Sequence, residues 1–123
     1  MPYSIEELEQ LIAKWAEDRN LIKGSNPIAQ LSKTLEECGE LLSALNARET
    51  YDPEVRGHDI DEIATWYENN ACEIQDAYGD ILVTLIVGMQ QLDMDIAEVL
   101  TIAYHEIKDR KGRMVNGLFI KEA

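Results

Sequence analysis

Little in this sequence breaks a helix. Among 123 residues there are only seven glycines and three prolines, too few turn-formers for a many-stranded sheet. Long apolar runs are also missing. The longest, residues 81–89, is far short of what a bilayer crossing needs, and no charged-then-apolar leader opens the chain. A cytoplasmic location is the expectation. The two cysteines, Cys38 and Cys72, lack metal-ligand spacing and are expected to be buried packing residues in a reducing compartment. Histidine is confined to His58 and His105, which excludes a histidine-rich metal phosphohydrolase site, and no Glu-x-x-His pair of the di-iron bundles occurs. A P-loop, a nucleophile elbow and a Rossmann fingerprint are all absent. Positive charge is scarce as well: 11 basic residues stand against 24 acidic ones, a net charge of −13, with no lysine or arginine between Arg56 and Lys108. Such a chain repels nucleic-acid polymers and anionic membranes, and it meets a phosphorylated small molecule best through bridging cations.

What is present reads as helix. With 46% hydrophobic and 28% charged residues, the chain has the material for one domain and little room for a second core. Ser4 and Glu7 have capping-box spacing ahead of Ile5, Leu8, Leu11, Ile12 and Trp15, which predicts a first helix ending near residues 20–24. Asn26-Pro27 reads as cap and first position of a second helix, with Ile28, Leu31, Leu35, Cys38, Leu42 and Leu45 on its apolar stripe. Residues 46–59, with Asp52-Pro53 and Gly57, read as a loop with room for a short helical turn. A long third helix is expected over about residues 60–92, with a break near Asn69-Asn70. Asp95 and Glu98 cap a fourth helix expected to run to Lys111, where Gly112 stops it. Residues 112–123 read as a short mixed tail. The expected fold is all-α, a four-helix bundle in a single domain over 1–123.

Two acidic stripes carry the chemistry. On the second helix Lys33, Glu36, Glu37 and Glu40 share one face, spaced three and four apart, roughly opposite Leu31, Leu35 and Leu42. Alone, such a run is a solvated face. On the third helix Glu73, Asp76 and Asp80 share another stripe, and Asp80 directly precedes a run apolar on nearly every side, where burial is expected. Aspartate is a poor residue for a helix interior, so propensity does not account for it. If the stripes face each other, carboxylates about 4 Å apart repel by roughly 4 kcal/mol at an effective dielectric of 20. Protonation or a cation must relieve that. Oxygen donors without histidine or thiolate suit Mg²⁺ or Mn²⁺.

These residues resemble a known family. Gln30-x-x-Lys33-x-x-Glu36-Glu37-x-x-Glu40-Leu41, followed by an acidic turn ending Gly79-Asp80-Ile81-Leu82, is similar to the MazG-like, all-α nucleoside triphosphate pyrophosphohydrolases, whose signature is E-E-x-x-E and later E-x-x-D. The resemblance extends to Trp15-Ala-x-x-Arg19 and to Asp109-Arg110-Lys111-Gly112-Arg113-Met-Val-Asn116-Gly117. One departure stands out. Aligned on Gly79-Asp80, the family's second-motif glutamate falls on Ala77, and Glu73 or Asp76 must replace it. The gap between the motifs is also longer than usual for the family.

The resemblance implies Mg²⁺-dependent hydrolysis between the α and β phosphates of a nucleotide, releasing a monophosphate and pyrophosphate. It makes Glu37, Glu40 and Asp80 the leading metal ligands, with Asp76, Glu36 and Glu73 beside them, and leaves Glu36 to act as the base toward water. Lys33 and the basic cluster Lys108, Arg110, Lys111 and Arg113, with Asn116 after it, are the candidate phosphate contacts. For the cluster, pairing with a helix C-terminus is the competing explanation. Trp15 is the candidate base contact; the other aromatics, Trp66, Tyr78 and Tyr104, are expected in the core. Four short helices with a third apolar on several faces leave surface to cover, and the short family members associate. A homodimer or homotetramer is therefore expected. The alternative is a non-catalytic helical module that oligomerises or binds a partner and keeps a vestigial metal site.

Overall fold

The computed structural model describes residues 2–122. Among them the order is α1 (Ile5–Asp18), α2 (Leu21–Gly24), α3 (Pro27–Thr50), α4 (Pro53–Arg56), α5 (Ile60–Gln91), α6 (Ile96–Ile107), β1 (Gly112–Val115) and β2 (Leu118–Lys121). The protein is mostly helical, as expected, and the four expected helices correspond to α1, α3, α5 and α6. Side chains cap their starts. Ser4 Oγ accepts the Glu7 N–H at 3.1 Å while Glu7 accepts the Ser4 N–H, Asn26 Oδ1 accepts the Ala29 N–H at 2.8 Å, and Asp95 Oδ1 accepts the Glu98 N–H at 2.7 Å. Asp59 and Glu62 form a second capping box at the start of α5.

Helices α3 and α5 form an antiparallel pair, pinned at two heights. The hydroxyls of Thr34 and Thr84 lie 2.7 Å apart. One end further on, buried Asn70 donates to the Ala44 carbonyl at 3.0 Å and accepts from Arg48 at 3.1 Å. That pair of hydrogen bonds explains why α5 runs unbroken through Asn69-Asn70, where a break was expected: Asn70 joins two helices and interrupts neither. Helix α3 also continues to Thr50, into the stretch expected as loop, and α4 is the short turn that follows, capped by Asp52 and ended by Gly57 at φ 68°. Helix α1 packs on α5 and α6, and the backbone of α2 is held by a hydrogen bond from Gln91 to the Leu21 carbonyl.

The core is thin. Its buried apolar members are Ala16, Ala44, Ala77, Ile86, Val87 and Ile96. The α3 face turned to α5 carries Thr34, Glu37 and Ala44, so the leucine stripe expected to be buried points elsewhere: Ile28 is 80% exposed and Leu35 65%. Cys38 and Cys72 are exposed, contrary to expectation, because each is turned off its helix's contact face, Cys38 about 100° from Glu37 on α3 and Cys72 about 200° from Asn70 on α5.

The C-terminal segment departs most from expectation. Helix α6 ends at Ile107, and the supposed mixed tail is a β-hairpin pairing Gly112 with Lys121, Arg113 with Ile120, Met114 with Phe119 and Val115 with Leu118. Asn116 and Gly117, at φ 51° and 82°, make the two-residue turn whose left-handed geometry suits the strand twist. Residues 101–122 are exposed throughout. The whole chain exposes 9540 Å², against about 6,700 Å² for a compact monomer of this mass.

Candidate functional site

The α3–α5 contact brings the two acidic stripes to one cleft of about 420 Å³. Glu40, Ser43, Ala44 and Ala47 line it from α3, and Glu73, Asp76, Ala77 and Asp80 from α5. Four expected ligands thus share one opening, floored by small residues that keep the helices close without filling the space. Asp80 is exposed on the cleft, not buried as expected, because the apolar run after it begins the packed half of α5 while Asp80 itself faces the gap. Ala77, where the resemblance would put a glutamate, is buried in the cleft wall.

Glu37 lies one turn from Glu40 and is buried, 7% exposed. Its Oε1 takes an ion pair from Lys33 at 3.3 Å, but its Oε2 is buried with no hydrogen-bond partner. Such an orphaned carboxylate oxygen is costly without a proton or a cation. Glu40 feels the same crowding. The nearby Glu37 carboxylate, first as an acceptor for a proton on Glu40 and then through its charge, raises the Glu40 pKa above the ordinary value of 4.5. The Lys33 ammonium is held charged, its pKa raised by the hydrogen bond with Glu37 and by Glu36's charge. Glu36 itself is exposed and pairs with Lys33 at 3.4 Å, away from the cleft lining.

The donor set is all oxygen and carries several negative charges, which fits a hard divalent cation. Among the described residues no three carboxylate, histidine or thiol side chains already converge at metal-binding distance. The acids stand around the opening, and the Glu37 oxygen remains to be satisfied.

The other candidate residues lie apart from the cleft lining. Trp15 carries the Arg19 guanidinium 4.7 Å from its ring centroid. Lys108, Arg110, Lys111 and Arg113 are exposed along the end of α6 and the start of β1, in no ion pair among the described residues. Asn116 has a sufficient structural role in the hairpin turn. A further cluster was not foreseen. Tyr51 stacks on Trp66 with centroids 3.8 Å apart and meets His58 through its hydroxyl at 2.6 Å, while Tyr67 packs edge-on against both rings. The aromatic spacing of Trp66-Tyr67 was its only visible trace, since Tyr51 and His58 enter from the connection after α3.

No family model matches the chain. A protein of Haemophilus phage HP1, an uncharacterized 18.2 kDa protein in the rep-hol intergenic region, is 31% identical over 91 residues. The match takes in 74% of this chain and 43% of the phage protein, so the chain spans less than half of that relative's length. The relative's name states no activity.

Proposed function

We propose that this chain is a Mg²⁺-dependent nucleotide pyrophosphohydrolase of the MazG-like kind, with the α3–α5 cleft as its active site. The observation that carries it is the meeting of Glu40, Glu73, Asp76 and Asp80 at one cleft beside Glu37, whose Oε2 is buried and unpartnered. Glu37, Glu40, Asp76 and Asp80 would hold the ion, with Glu73 at the rim, and Mn²⁺ could replace Mg²⁺. Bound there, the ion supplies charge neutralisation for the phosphates and lowers the pKa of a water. Glu36, exposed and paired with Lys33, is the proposed acceptor of a proton from water. Lys33 orients Glu37 and Glu36 and offers an ammonium to phosphate. The surplus exposed area supports a homo-oligomer, and among the described residues no helix is long and apolar enough to cross a membrane. A cytoplasmic location belongs to the same proposal.

Ala77 favours a second reading, a non-catalytic helical module with a vestigial site, because it stands in the cleft where the family has a ligand. Pyrophosphate release from a panel of nucleoside triphosphates, with and without Mg²⁺, separates the two. Release of monophosphate and pyrophosphate from at least one nucleotide, abolished by chelator, is the expected result. No turnover of any nucleotide with Mg²⁺ or Mn²⁺ leaves the second reading.

A further inference from the structure

Among the described residues, every residue of the β1–β2 hairpin is exposed. Two-stranded hairpins are at best marginal in water, and this one presents apolar side chains on both faces. Strand alternation puts Met114 and Phe119 on one side and Val115, Leu118 and Ile120 on the other. Met114 is 64% exposed and Leu118 67%. The hairpin and the turn leading to it also hold five of the chain's 11 basic residues, Lys108, Arg110, Lys111, Arg113 and Lys121. Among the described residues none of the five pairs with an acid, and on the cleft none of Glu73, Asp76 and Asp80 pairs with a cation. Complementary charges therefore sit on two parts of one chain that do not meet. Helix α6 packs on α1, where the buried Glu9 carboxylate holds its first N–H, and no residue of the arm lines the cleft.

We propose that this arm, residues 108–122, docks on the α3–α5 cleft face of a second copy of the chain. The exposed area exceeds that of a compact monomer by roughly 2,800 Å², well above the roughly 800 Å² that each partner buries in a standard interface. Because the arm and the cleft are both present on every chain, a two-fold pair satisfies both contacts at once. Apolar hairpin residues gain cover, and Arg110, Lys111 and Arg113 come to lie opposite Glu73, Asp76 and Asp80. If the cleft is the nucleotide site, a deduction resting on the proposed function, these cations reach substrate phosphates from the partner chain.

The test is a charge swap read by sedimentation velocity on full-length chains at micromolar concentration, without metal or nucleotide. The parent is expected to associate. Arg110→Glu with Arg113→Glu, and separately Asp76→Lys with Asp80→Lys, should each weaken association at least tenfold, because arm and cleft then carry like charges. An equimolar mixture of the two variants should recover association, since each arm then meets a cleft of opposite sign. If the cleft variant loses its helical circular dichroism, Glu73→Lys takes its place. A monomeric parent, variants that associate like the parent, or a mixture that stays apart each overturns the proposal. Because the readout involves no hydrolysis, these outcomes are separate from the fate of the proposed activity.

Discussion

The carboxylate of Glu9 on α1 accepts the backbone N–H of Ile96, the first residue of α6, at 2.7 Å. Glu9 is 3% exposed and, among the described residues, is in no ion pair; Gln90 adds a longer bond at 3.4 Å. The positive end of α6 does the work of a counter-ion, so one side chain both fixes the start of that helix and ties it to α1. Glu9→Ala should leave the Ile96 N–H buried without an acceptor and lower unfolding free energy by about 1–3 kcal/mol in urea titrations. Glu9→Gln keeps an acceptor and should cost less. Equal stability of Glu9→Ala and parent would contradict this role.

Asn70 joins α3 and α5 with both ends of its amide. Asn70→Ala should remove the added bond to the Ala44 carbonyl, leave the Arg48 guanidinium without its acceptor and destabilise by about 1–3 kcal/mol, with a lower melting temperature and little change in helical content. An unchanged melting temperature would mean that water replaces the amide freely.

The pH dependence of stability follows from Glu40. The nearby Glu37 carboxylate, ready to accept a proton held on Glu40, raises the Glu40 folded-state pKa above 4.5, so in the window rising from 4.5 the folded chain binds more protons than the unfolded one. Stability from this group is full below that window and lost as pH rises through it. In chelator, thermal melts of the parent should therefore fall relative to Glu40→Gln between pH 4.5 and neutrality. Parallel curves for the two proteins would show that Glu37 and Glu40 do not share a proton.

Divalent cation should reverse that loss. Millimolar Mg²⁺ should raise the parent's melting temperature, by an amount equivalent to about 2.7 kcal/mol if it reaches a hundred times its Kd. Asp80→Asn and Glu40→Gln should melt no lower than the parent in chelator, since each removes a like charge, and should gain less from Mg²⁺. A parent indifferent to Mg²⁺, with Asp80→Asn collapsing, would make Asp80 a structural residue.

Helix starts were legible because their signals are local. Ser4 with Glu7, Asn26 with Pro27 and Asp95 with Glu98 each satisfy backbone N–H groups within one turn, whatever lies beyond. The shared cleft of Glu40, Asp76 and Asp80 was foreseeable from stripe spacing once two helices were assumed to pair. The burial of Glu37 in place of Leu35 was not, because periodicity finds an apolar stripe but cannot say whether this chain covers it. Asn70 misled for a related reason: a helix-weakening residue is tolerated where a neighbouring helix takes both its hydrogen bonds. The hairpin did leave a local sign, Asn116-Gly117 between Met114-Val115 and Leu118-Phe119, obscured by the shortness of the segment.

Nucleotide hydrolysis by Glu37→Gln and Asp80→Asn, measured beside the parent in millimolar Mg²⁺ with monophosphate and pyrophosphate quantified, tests the cleft most directly. The parent should turn over at least one triphosphate, and each variant should lose at least a hundredfold in kcat/KM while keeping the parent's circular dichroism, a difference of about 2.7 kcal/mol in transition-state stabilisation. Parent-like turnover by both folded variants would contradict a catalytic role for the α3–α5 cleft.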